Sequence, residues 1–371
     1  MEKEIINRVE NIGKKLNEEY LKAGNKSKQK RIFYDLYTFD SICEDSLNFK
    51  NKHLWIVDSG LTPKEDKFIE YINRDKKIFF DISKSVVNCF VNENYSYSEY
   101  RKVSPKLSKK EMMDIVFSFL NTIDVNIYNK LKEKGEHFGI FETSLYGYQG
   151  FIVPIEILKD NFIVVNNESG YNLEFALSLV HETGHLFELE HLYSQNRSSY
   201  RSMSMLTPYY EVSSSFFEYA FLRYLNDNRV IDYCSRLQLH NYFIDLFINN
   251  FYMNLICMKK DIIPNGNYVY IDEENTNKYA EYIMNKTNFY GISFYNEGLD
   301  YRDSFIYSIG QLFAVYMYER YKEDKNSFIN EFKRSFLLYP DNPCIDVFSG
   351  VGIDYDIIKE GKILRKVIKN S

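Results

Sequence analysis

The stretch Leu179-Val180-His181-Glu182-Thr183-Gly184-His185-Leu186-Phe187-Glu188-Leu189-Glu190-His191 holds three of the chain's six histidines. His181 and His185 are four residues apart, so a helix places them about 40° apart on one face. Two imidazoles there can converge on one ion, and Zn²⁺ in catalytic sites takes three protein ligands and keeps a fourth position for water. Glu182 can accept a proton from that water. The stretch therefore predicts a helix that carries two metal ligands and a general base for the metal-bound water.

The residues before this motif are apolar from Phe175 to Val180. The helix is therefore expected to be buried, where a pair of imidazoles with no partner would cost free energy. An accidental match on a charged surface helix is the alternative reading, and the apolar flank argues against it.

A zinc site needs a third ligand, and His191 is one candidate. Its spacing is that of the metzincins, in which a glycine midway turns the chain back toward the metal. Glu188 stands midway here and favours a continuous helix, which would point His191 about 80° away from His181 and about 15 Å along the axis. Met203 and Met205 could form a metzincin Met-turn, although surface methionines of a loop would look the same.

Glu211 is the second candidate and the one we favour. Apolar residues recur with helical spacing after Pro208, so a second helix is expected to carry Glu211 in its first turns. Glu218 lies seven residues on, close to the same face. A cation would stabilise Glu211, and a hydrogen bond to the outer nitrogen of a ligand histidine would explain Glu218. A solvated helix face is the alternative for both residues.

The hydrophobic pattern along the rest of the chain predicts mostly helices. Residues 1–135 form a predicted helical N-terminal region, in which Ser108 and Glu111 make a capping box for a long helix ending near Gly135. Apolar runs from Phe151 to Leu158 and from Phe162 to Val165 then predict a β-hairpin. Helices resume after Tyr171, and residues 136–371 are the predicted catalytic domain. The expected fold class is mostly α with a small sheet or hairpin in the catalytic part.

The composition of the chain excludes several classes of fold and partner. The 371 residues include 16 glycines and 7 prolines, few enough to disfavour a many-stranded β-fold, and the net charge of −6 with no basic cluster argues against nucleic-acid partners. Five cysteines without a CxxC pair favour reduced, buried thiols. With no apolar signal segment and no run of 18 apolar residues, we expect a cytoplasmic protein with no membrane partner. The oligomeric state is not determined by these features.

His181-Glu182-Thr183-Gly184-His185, followed 26 residues later by Glu211-Val-Ser-Ser214-Ser-Phe-Phe-Glu218, resembles the thimet oligopeptidase and oligoendopeptidase F family of zinc peptidases. The family pattern is HExGH and then ExxSxxxE. The likeness covers about residues 135–371, and downstream it continues weakly from Asp303 to Tyr321 and from Val351 to Asp354. It implies a zincin fold with His181, His185 and Glu211 holding Zn²⁺, Glu182 as the base, and Ser214 and Glu218 supporting the ligands.

Three departures accompany the resemblance. Family members are usually longer, Glu188 stands where they commonly have a histidine, and no histidine follows His240 to stabilise the oxyanion. A tyrosine would then do so, with Tyr307 the first choice and Tyr301 the second, although packing would also account for either.

The expected function is zinc-dependent hydrolysis of short unstructured peptides. Two alternatives stay open. One is a specialised peptidase that matures a single partner or leader peptide, and the other is a peptide-binding protein on a peptidase scaffold.

Overall fold

The computed structural model describes residues 2–25, 28–29, 32, 68–92, 107–136, 140–143, 150–155, 159–197, 209–259, 268–269, 299–338 and 342–369. The helices are α1 (Glu2–Lys22), α2 (Phe68–Asn92), α3 (Lys109–Ile123), α4 (Val125–Glu136), α5 (Leu173–Ser194), α6 (Val212–Asp227), α7 (Tyr233–Lys259), α8 (Tyr301–Glu323), α9 (Lys325–Ser335), α10 (Cys344–Gly350), α11 (Tyr355–Glu360) and α12 (Lys362–Lys369). The strands are β1 (Ile140–Thr143), β2 (Gly150–Ile155), β3 (Asp160–Asn166), β4 (Tyr268–Val269) and β5 (Leu299–Asp300). The fold is mostly α with a small sheet, which confirms the predicted class.

The chain forms two compact units. The first draws on residues 1–65 and 104–199 and contains α1, α3, α4, the strands β1 to β3, and α5. The second draws on residues 66–103 and 200–371 and contains α2 and the elements from α6 to α12. Neither unit is one continuous stretch of chain. A functional division near residue 135 stays a prediction.

Helix α3 begins as the sequence predicts. The Ser108 hydroxyl accepts a hydrogen bond from the Glu111 N–H (3.2 Å), and a Glu111 carboxylate oxygen accepts one from the Ser108 N–H (2.9 Å), so the capping box is complete. A single helix reaching Gly135 does not form, however. Asp124 is extended (φ −153°, ψ 120°) and its side chain accepts a hydrogen bond from the Asn126 N–H at 2.8 Å, which ends α3 and begins α4.

The predicted hairpin forms within a three-stranded sheet of order β1-β3-β2. Strand β2 is antiparallel to β3, with Gly150 opposite Val165, and strand β1 is parallel to β3, with Ile140 opposite Ile163. Strand β1 was not predicted, because it has four residues and its partner β3 lies 23 residues further along the chain, so it leaves little local signal. Among the described residues, β2 is an edge strand of this sheet.

Helix α5 packs on β2 and β3 and is covered in turn by α3 and α4. The central strand β3 buries Ile163, Val164 and Val165 completely. Because successive side chains of a strand point to opposite faces, both faces of β3 are covered at this point. The sheet therefore supports α5 within the first unit.

The second unit is built around α8, which packs along α6 and α7, while α2 packs on α7. Aromatic rings fill much of its core. The Phe216 ring centroid lies 5.1 to 6.0 Å from those of Tyr321, Phe328 and Phe332. Rings at these distances add a favourable term to the burial of their area.

The side chains of Cys89 and Cys344 are buried and form no disulfide. The side chains of Cys43, Cys234 and Cys257 lie outside the described residues. None of the helices in the described ranges is both long enough and apolar enough to span a membrane.

Candidate metal centre

Helix α5 carries the HExxH motif in a stretch whose residues are mostly buried. It begins after Asn172, whose side-chain oxygen accepts a hydrogen bond from the Phe175 N–H at 2.9 Å, and it continues unbroken to Ser194. Every residue from Glu182 to Leu189 is buried, so the helix is enclosed on all sides there. Polar groups on such a helix need partners, which makes its histidines and carboxylates candidates for a functional site.

His181 and His185 lie one helical turn apart. Their ring centroids are 5.3 Å apart with an interplanar angle of 79°. His185 is 2% exposed and His181 is half-buried. The two imidazoles therefore lie close enough to share an ion.

Glu182 is buried against strand β2. A methyl group built on Gly150 would lie 3.3 Å from both Cγ and Oε1 of Glu182, and 3.2 Å from the carbonyl oxygen of Val164. The Glu182 carboxylate thus occupies space that any side chain at position 150 would contest. Gly150 was not predicted as a site residue, and its position directly before the predicted strand that begins at Phe151 was the only signal for it.

Glu211 lies at the N-cap position of α6, one residue before the helix proper. Its side chain makes no capping hydrogen bond, and the residue is 3% exposed. The Ser214 hydroxyl donates a hydrogen bond to Oε2 of Glu211 at 2.5 Å. The serine that the sequence placed three residues after Glu211 therefore orients its carboxylate.

Three potential ligands come together. His181, His185 and Glu211 each offer one atom, and these atoms all lie within 4.8 Å of one another. Two imidazole nitrogens and one carboxylate oxygen form a donor set that suits Zn²⁺ and leaves a fourth position for water. The residues present fit a zinc ion of the catalytic type.

No protein-family model and no curated protein matches the sequence. Solved structures do match. A proposed peptidase from Chlamydophila abortus superposes with a TM-score of 0.59 at 11% identity, covering 92% of this chain and 61% of the other. A proposed oligoendopeptidase F gives 0.56 at 13% identity (96% and 65%), and PZ peptidase A with an inhibitor gives 0.54 at 15% identity (96% and 64%).

The chain has the fold of these peptidases. It spans less than two thirds of the length of each of them. At such low identity the likeness establishes the fold, and function has to be argued from the residues of this chain.

The alternative third ligand, His191, lies on the same uninterrupted helix as His181. Glu188, which stands where a metzincin glycine would be, is 1% exposed within α5, and the helix continues past it to Ser194. The expected continuous helix is confirmed. Met203 and Met205 lie outside the described residues.

The structure locates Glu218, Tyr307 and Tyr301 on their helices, and their roles are not tested by their positions. Glu218 is half-buried on α6, about two turns from Glu211. Tyr307 is half-buried on α8, and Tyr301 is the first residue of that helix. Their predicted roles stay predictions.

Proposed function

We propose that this protein is a zinc-dependent peptidase that hydrolyses short unstructured peptides. The observation that carries the proposal is the convergence of His181, His185 and Glu211, whose ligand atoms lie within 4.8 Å of one another. The buried Glu182 follows His181 directly and supplies a base. The peptidase fold supports the reaction class by analogy.

When bound, zinc polarises a peptide carbonyl and lowers the pKa of water toward about 7. Glu182 would accept the proton of the attacking water at its carboxylate and later deliver it to the leaving amine nitrogen. The hydrogen bond from Ser214 would hold Glu211 in its ligating orientation, and Glu218 would support a ligand histidine.

A tyrosine hydroxyl would donate a hydrogen bond to the developing oxyanion. Tyr307 is the better candidate because of the face of helix α8 on which it lies. It precedes Gly310 by three residues, and Gly310 lies against the backbone of Glu211, so Tyr307 lies near the face of α8 that meets the ligand. Tyr301 is nine residues before Gly310, about half a turn out of phase.

The substrate would bind as an added strand along the edge of β2. An extended peptide there pairs its main chain with the strand, which gives affinity without demanding one sequence. Because Gly150 begins β2 and lies against Glu182, a peptide on this edge would pass close to the base.

Metal removal tests the proposal directly. The purified protein is expected to carry about one zinc per chain, measured by elemental analysis. Chelation should abolish cleavage of a fluorogenic peptide, and added Zn²⁺ should restore it. Full hydrolysis by the metal-free protein would contradict a metal mechanism.

Substrate breadth separates the proposal from its two alternatives. A library of unrelated peptides, followed by mass spectrometry, should show many of them cleaved, because strand addition reads mainly backbone. Cleavage of one sequence class alone would indicate a maturation peptidase. Binding of peptides without any cleavage by the zinc-loaded protein would indicate a peptide-binding protein.

A further inference from the structure

The backbone of Glu211 is hydrogen-bonded as well as its side chain. Its carbonyl oxygen accepts a hydrogen bond from the Ser215 N–H at 3.0 Å, the first bond of helix α6, and lies 3.1 Å from the Ser214 hydroxyl. Any displacement of this carbonyl therefore moves the start of the helix. The carboxylate of Glu211 would move with it.

Helix α8 meets this carbonyl through a glycine. A methyl group built on Gly310 would lie 2.8 Å from the carbonyl carbon of Glu211, closer still to its oxygen, and 2.7 Å from the Ser215 hydroxyl. Real side chains essentially never approach backbone so closely. Glycine is unfavourable inside a helix, and here its lack of a side chain is what lets α8 lie on Glu211.

A second contact from the same face of α8 supports the segment before α6. The Phe313 ring, three residues after Gly310, lies 6.2 Å from the ring of Tyr209 at an angle of 71°. Tyr209 is completely buried, and its carbonyl accepts a hydrogen bond from the Val212 N–H at 3.1 Å. Helix α8 thus supports the chain on both sides of Glu211.

We infer that Gly310 is a positioning residue for the metal ligand Glu211. The close approach of α8 sets where the carboxylate lies, so the identity of residue 310 controls metal affinity although the residue touches no metal. This inference rests on the proposed function for the identity of the ligand. The position of Glu211 itself can be measured without any metal.

Gly310→Ala is the test. A methyl group there must push the Glu211 carbonyl away, and we expect the Kd for Zn²⁺, measured by competition with a chromogenic chelator, to rise at least about tenfold. The melting temperature of the metal-free variant verifies that it is folded. A folded variant that binds Zn²⁺ as tightly as the wild type would overturn the inference.

Gly350→Ala is the matched control. It makes the same change in a helix of the same unit, but the built methyl group meets Cδ1 of Leu338, the end of a side chain that can rotate away. Zinc affinity should stay at the wild-type value. An equal loss in both variants would mean that general destabilisation, and not the position of Glu211, lowers affinity.

A second pair of variants covers the case in which Gly310→Ala does not fold. Ser215→Val adds bulk to the same contact from α6 and should weaken Zn²⁺ binding, whereas Ser215→Ala removes the hydroxyl near Gly310 and should not. Equal affinities in these two variants would overturn the inference.

The inference and the proposed function can fail separately. If the wild-type protein binds no metal, the proposed function fails. A crystal structure of the metal-free Gly310→Ala variant then decides the inference: a shifted Glu211 main chain supports it, and an unmoved one overturns it.

Discussion

Glu182→Gln is expected to lower kcat for peptide cleavage by at least about 10²-fold, while the zinc content stays at the wild-type value. Glutamine keeps the shape of the side chain against Gly150 but cannot take a proton from water. His181, His185 and Glu211 are all unchanged in this variant. The measurement is peptide turnover combined with elemental analysis on the same preparation.

Glu190→Gln is the control on the same helix. Glu190 pairs with Lys130 at 3.3 Å and is partly exposed, so losing its charge should change stability by less than about 1 kcal/mol and activity little. Unchanged turnover in Glu182→Gln would remove Glu182 from the mechanism. Loss of zinc in that variant would mean that the carboxylate supports the metal and is not only a base.

Glu211→Ala should lose stoichiometric zinc and, with it, activity. Two imidazoles alone leave the site without its third ligand, whereas catalytic zinc sites have three from the protein. Elemental analysis after dialysis gives the metal content. Circular dichroism shows whether α6 still forms, since the Glu211 side chain makes no capping hydrogen bond that the helix would miss.

His191→Ala is the comparison that decides between the two candidate third ligands. Because α5 continues through Glu188, His191 lies about 15 Å along the axis from His181. Zinc content and turnover should stay within a few-fold of the wild type. The reverse result, with metal lost in His191→Ala and kept in Glu211→Ala, would overturn both the ligand assignment and the mechanism built on it.

Local signals predicted the elements that depend on neighbours in sequence. Three such elements are the Ser108 and Glu111 capping box, the helix carrying His181 and His185, and the hairpin of β2 and β3, whose paired residues are at most 15 positions apart. The break at Asp124 was missed although its signal is also local. An aspartate can end one helix and cap the next, and the apolar spacing around it concealed this.

Non-local contacts could not be predicted in the same way. Strand β1 pairs with β3 across 23 residues, and the helix α2 joins a unit whose other elements begin after residue 200. Pairing over such separations depends on which apolar faces meet, which one sequence does not record.

By itself, the sequence determined which residues can donate to a metal and on which helix face they lie. A period of 3.6 residues places His181 and His185 on one face with Glu182 beside them, and Glu188 favours a continuous helix past His191. Only the tertiary structure decided which residues from other elements lie against these groups. It brings a Glu211 oxygen within 4.8 Å of the histidine nitrogens. It also sets Gly150 against Glu182 and Gly310 against Glu211. A glycine has no side chain whose chemistry could indicate a contact in the sequence. Its role depends on which backbone or carboxylate atoms occupy the space beside it, and only the structure shows these.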